Sequence, residues 1–173
     1  MAAGWVGEHK NRAAKVAKKK DNIMTHDQLI HAVDILLIED NPGDVRLTRE
    51  ALKEARININ LNVANDGLEA MKMLHQEAPY ANQPLPDLVL LDLNMPRMDG
   101  REVLRLIKTD DNLKRIPVVI LTTSAAETDI LQAYGLHANC YITKPVELEQ
   151  FMDIVKSIEG FWLTVVKLPK AAQ

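Results

Sequence analysis

The tightest constraint on what this chain can fold into is the stretch Leu88-Val89-Leu90-Leu91-Asp92, followed at once by the turn-forming residues Asn94, Pro96, Asp99 and Gly100. Four consecutive apolar residues bounded by turn formers describe a strand covered on both faces, the signature of the middle of a parallel sheet. A lone carboxylate stands where that strand ends. Ligands of open α/β sheets bind outside the carboxyl ends of the strands, so an acid at that point is placed for chemistry. Other runs end in the same way: Ile35-Leu36-Leu37-Ile38 leads into Glu39-Asp40, and Val118-Val119-Ile120-Leu121 into Thr122-Thr123-Ser124. A fourth run, Cys140-Tyr141-Ile142-Thr143, delivers Lys144-Pro145.

Between these runs the apolar period changes from continuous or alternating to 3.6 residues. Val45, Leu47, Leu52 and Ala55 mark the inner side of a first helix; Leu68, Ala70, Met71 and Leu74 that of a second; Val103, Leu104 and Ile107 that of a third, over 101–110. Further helices are expected at 126–135 and 146–158. Asn60-Leu61-Asn62-Val63-Ala64 alternates polar and apolar, so it reads as a half-exposed edge strand, and three prolines within 79–86 demand a loop. Five strands alternating with five helices imply βαβ units, a parallel sheet and helices on both faces. Right-handed crossovers and a polar second strand favour a doubly wound order 2-1-3-4-5, whose switch point lies between strands one and three. Glu39, Asp40 and Asp92 meet there.

Three carboxylates crowded together repel unless protonated or neutralised. A hard divalent cation is the simplest remedy, and oxygen ligands with room left for water and phosphate describe Mg²⁺. Lys144 brings a second positive charge and Thr122 a neutral donor. A nucleophilic carboxylate, a metal and an ammonium around an open space are the equipment for forming an acyl phosphate.

Glu39-Asp40, Asp92, Thr122 and Lys144-Pro145 stand in order, with Thr122 placed 30 residues after Asp92 and 22 before Lys144. In this they resemble the receiver domain of two-component response regulators. The resemblance covers residues 33–159 and implies a flavodoxin-like fold with Asp92 as phosphoacceptor. It implies that Asp40 and Asp92 bind Mg²⁺ through their side chains, Asn94 through its backbone carbonyl and Glu39 through water. Thr122 and Lys144 would hold the phosphoryl oxygens. Tyr141 matches the aromatic switch of the family, which with Thr122 would alter the face made by the fourth helix, fifth strand and fifth helix. The prolines before strand three and the segment 161–169 resemble the stand-alone regulators served by phytochrome histidine kinases, so a kinase of that type is the expected partner.

The chain divides into a basic arm (1–32), a receiver (33–159) and an apolar tail (160–173), with little chain after the last helix for an appended DNA-binding domain. Phe161 and Trp162 make that tail a candidate homodimer contact. A formal net charge of −3 gives no general attraction to nucleic acid or anionic lipid, and no run approaches a membrane span of roughly 20 apolar residues. The single cysteine, Cys140, suits a reducing cytoplasm. Two other functions are weighed: an aspartyl-phosphate phosphatase or phosphotransferase, which needs an acid where Asn94 stands, and a dimeric scaffold with a dormant site.

Overall fold

The computed structural model describes residues 32–53 and 57–169. The expected basic arm (1–32, except Ala32), the inward position of Ala55 and the end of the tail lie outside the described residues. The remaining elements run β1 (Val33–Ile38), α1 (Pro42–Lys53), β2 (Ile59–Ala64), α2 (Gly67–Leu74), β3 (Leu88–Leu91), α3 (Gly100–Thr109), β4 (Val118–Thr122), α4 (Glu127–Gly135), β5 (Cys140–Thr143) and α5 (Leu148–Ile158).

Side chains of successive strand residues point to opposite faces, and parity divides the core accordingly. Leu36, Ile38, Val89, Leu91, Val118 and Ile120 share one face with the inward residues of α2, α3 and α4. Ile35, Leu37, Leu88, Leu90, Val119 and Leu121 share the other with α1 and α5. All four residues of β3 are fully buried, as a strand roofed on both sides requires. The five strands are parallel in the order β2-β1-β3-β4-β5, as expected.

Register decides what meets at the carboxyl edge. Ile38 lies opposite Leu91, and the Asp92 N–H donates to the Ile38 carbonyl at 3.0 Å. Glu39 and Asp92, the next residues on each strand, are therefore neighbours. Thr122 lies opposite Thr143, and the Lys144 N–H donates to the Thr122 carbonyl at 2.7 Å. Gly100 lets α3 start close to this edge. A Cβ there would lie 2.1 Å from the Asp92 carbonyl oxygen and 2.7 Å from the Leu93 Cα.

Some helix details depart from the periodic pattern. Leu68 is exposed and Met73 is buried in its stead, because capping by Asp66 fixes the start of α2 and hence which face turns inward. Val146 is fully exposed and α5 begins two residues later than its apolar character suggests. At the other end the helical path does not stop at Ile158. A π-helical turn, Glu159–Leu163, extends α5, bringing buried Leu163 and half-buried Trp162 against the α1/α5 side of the core.

Candidate functional site

The strand ends bring Asp92, Glu39, Lys144 and Thr122 into one hollow. The Lys144 ammonium, 3% exposed, lies 2.5 Å from Glu39 Oε2, 2.8 Å from Asp92 Oδ2 and 2.8 Å from Asp44 Oδ2. Asp92 Oδ1 accepts from the Asn94 N–H at 3.0 Å. Glu39 Oε1 accepts from the Asn41 N–H at 3.1 Å. Each oxygen of the two buried carboxylates thus has its own donor. Thr122 is fully buried at the end of β4, its Oγ1 accepting from the Asn94 amide at 3.3 Å, whereas neighbouring Thr123 is exposed.

On the solvent side, Glu39, Asp40 and Asp92 each offer a carboxylate oxygen, all within 4.8 Å of one another. Two of these acids are buried and Asp40 is exposed. Glu39, Asp92 and Asp44 face one ammonium, and Asp40 adds a fourth carboxylate beside the first two, an excess of negative charge that suits a divalent cation with access to water. The electrostatics agree. Burial pushes the Glu39 carboxyl up to about 7 despite its bond to Lys144. Burial also opposes ionisation of Asp92, but the Lys144 bond and the Asn94 N–H overcome it and hold that carboxyl below its usual range. Burial alone would lower Lys144; bonds to Asp44, Asp92 and Glu39 raise it above the ordinary lysine value. Asp92 is therefore an ionised carboxylate held beside a cation, with Glu39 the acid closest to holding a proton.

Tyr141 is half-buried, its hydroxyl donating to the Ser124 carbonyl at 2.9 Å. The ring is thereby held against the β4–α4 loop while the Thr122 hydroxyl stays bonded to Asn94. Two parts of this region escape motif reading. Asp44, in the first turn of α1, resembles an ordinary helix-start acid, and nothing in the local pattern marks it as a partner of Lys144. Arg101, at the start of α3, reaches Asp129 of α4 at 2.6 Å, and Asp129 accepts from the Ser124 hydroxyl at 2.5 Å. The β4–α4 loop is thereby tied to α3 beneath Tyr141.

A doubly wound sheet with an ionised acid, an acidic pair, a hydroxyl and an ammonium at its switch point defines a class: signalling receivers that take a phosphoryl group. The chain belongs to the response regulator receiver domain family, whose model matches residues 35–156. It is 52% identical to the response regulator Rcp1 of Synechocystis sp. over 137 residues, 79% of this chain and 93% of that one. Among solved structures it resembles the phosphorylated cyanobacterial phytochrome response regulator RcpA, with 53% identity and a TM-score of 0.79 over 81% of this chain and all of that one. The Mn²⁺-bound form of Rcp1 gives 51% identity and a TM-score of 0.78 over 80% of this chain and 99% of that one. Receiver domains bind a divalent metal, in keeping with the acidic cluster here.

Proposed function

We propose that the protein accepts a phosphoryl group on Asp92 from the phosphohistidine of a phytochrome-type histidine kinase, in a Mg²⁺-dependent reaction in the cytoplasm. The observation that carries this reading is the Lys144 ammonium seated 2.8 Å from Asp92 Oδ2, with Glu39 and Asp40 supplying further oxygens nearby. Similarity to Rcp1 and RcpA supports the kinase type. Glu39, Asp40, Asp92 and the Asn94 carbonyl would hold Mg²⁺, which when bound neutralises the acids and the charge on the moving phosphoryl group.

The chain's own groups do the rest. Asp92 attacks phosphorus as the donor's bond to phosphorus breaks, and the Asn94 N–H and Lys144 fix the direction of its carboxylate. Lys144 and the Thr122 hydroxyl donate to phosphoryl oxygens, and the same site later admits water for autodephosphorylation. Movement of Thr122 towards the phosphoryl breaks its contact with Asn94 and biases Tyr141, which touches the same loop through Ser124. The output face is α4–β5–α5, where Leu131, Tyr134, Val146 and Leu148 are exposed. Homodimerisation belongs to the proposal. Phe161 is exposed and packs edge-on against half-buried Trp162 at 5.6 Å, so Phe161 carries more of that contact.

Incubation with acetyl phosphate tests the reading. Intact mass should show one added phosphate that requires Mg²⁺ and disappears in Asp92→Asn. Rapid multiple turnover of phosphate esters would instead indicate the phosphatase alternative.

A further inference from the structure

An ammonium has three N–H bonds. In Lys144 all three are used: Glu39, Asp92 and Asp44 each accept one at hydrogen-bond distance. A phosphoryl oxygen arriving beside Lys144 must therefore displace a carboxylate. The three acceptors are not equally replaceable. Glu39 is 2% exposed, so water cannot take over the hydrogen bond that it receives from Lys144. Asp92 has to keep its contact with Lys144 until its oxygen has bonded to phosphorus, because that contact aims the attacking carboxylate. Asp44 comes from the first turn of α1 and its side chain is 25% exposed, so water can take over its hydrogen bond.

We propose that Asp44 is a positioning residue that acts as a brake on phosphorylation: it occupies the third proton of Lys144 in the resting protein and gives it up to the phosphoryl oxygen. This rests on Asp92 being the phosphoacceptor. Asp44 also places a negative charge near the path of an anionic donor, and both effects slow the same step. In that step an Asp92 oxygen bonds to phosphorus while the bond between phosphorus and the acyl oxygen of acetyl phosphate breaks. Acetate leaves with the electron pair, and no proton is exchanged.

Removing the brake should raise the rate. Asp44→Asn and Asp44→Ala are compared with the unaltered protein at Mg²⁺ concentrations that saturate each one, following the phosphate mass gain over a range of acetyl phosphate concentrations. The expected result is a maximal rate constant roughly fivefold higher in both variants, the scale of one charge-assisted hydrogen bond discounted for partial exposure. Beryllofluoride, used as a phosphoryl mimic, should bind tighter by a similar factor. An acid that merely stabilised the start of α1 would yield no gain in either measurement. A maximal rate equal to or below that of the unaltered protein, in a variant with an unchanged melting temperature, overturns the inference. If Asp44→Ala melts lower, Asp44→Asn decides. Absence of phosphate gain in the unaltered protein, or a gain that persists in Asp92→Asn, overturns the phosphoacceptor reading itself and this inference with it.

Discussion

Gly100→Ala should damage both stability and phosphorylation, because the added methyl has no room. Its Cβ would sit 2.1 Å from the Asp92 carbonyl oxygen and 2.7 Å from the Leu93 Cα, both backbone atoms of the segment that carries the Asp92 carboxylate. Reaching van der Waals distance means separating the start of α3 from this segment by about 1 Å. That stretches the hydrogen bond from the Gly100 N–H to the Leu93 carbonyl, now 3.0 Å. Overpacking costs roughly 1–3 kcal/mol and the weakened hydrogen bond about 1 kcal/mol more, while restricting the unfolded chain returns about 0.5–1 kcal/mol. A net loss of about 1–3.5 kcal/mol lowers the melting temperature by roughly 5–15 °C for a domain of this size. A displacement of that order at Asp92 should slow phosphorylation by acetyl phosphate by tenfold or more. Differential scanning calorimetry and the mass-gain assay give the two readouts. Gly160→Ala is the control, since nothing lies within 4 Å of its added Cβ. If Gly100→Ala melts and phosphorylates like Gly160→Ala, the close approach of α3 to the Asp92 segment is not real.

Other expectations follow from the same contacts. Lys144→Met leaves Glu39 and Asp92 without their cation, so urea unfolding in EDTA should show a loss of about 3 kcal/mol, and Mg²⁺ should recover a larger share of stability than in the unaltered protein. Glu39 has a carboxyl pKa raised by burial from 4.5 to about 7. The folded state then holds more protons than the unfolded state between those values, so the Glu39 contribution is complete below about pH 4.5 and is lost as pH rises through about 7. In EDTA, stability should fall by at most about 3 kcal/mol from pH 5 to pH 8, and Glu39→Gln should flatten that slope; a rise over this window would contradict the assignment. Arg101→Ala releases Asp129 and, through it, Ser124. Amide exchange at Ser124 and Ala126 should accelerate while global stability changes little. Phe161→Glu should reduce any dimer seen by light scattering without lowering the melting temperature, because Phe161 is exposed.

The sheet was legible because its central strands are short, wholly apolar runs, and a residue sequence that ends three such runs in Glu39-Asp40, Asp92 and Thr122, and a fourth strand in Lys144, leaves few places for those groups to go. Strand β5 spans the expected residues, and β4, expected over 117–121, runs one residue later, Val118–Thr122. Helix faces were less legible. Val146 is apolar yet fully exposed, and Leu68 turns outward, since amphipathic period alone cannot fix where a helix begins. The last helix was expected to end at 158, but burial of Leu163 and packing of Trp162 carry the chain on through a π-helical turn. Asp44 escaped for a different reason. A carboxylate in a first helical turn is already explained by the helix dipole, and only the fold shows that Lys144 comes within 2.8 Å of it.

The most direct test of the central claim is to find where the phosphate goes. The protein is phosphorylated with acetyl phosphate and Mg²⁺, the acyl phosphate is trapped by borohydride reduction, and the peptides are mapped by mass spectrometry. Reduction confined to position 92, and abolished by EDTA, is the predicted result. Label at any other carboxylate, or at 92 without a divalent ion, would contradict the account.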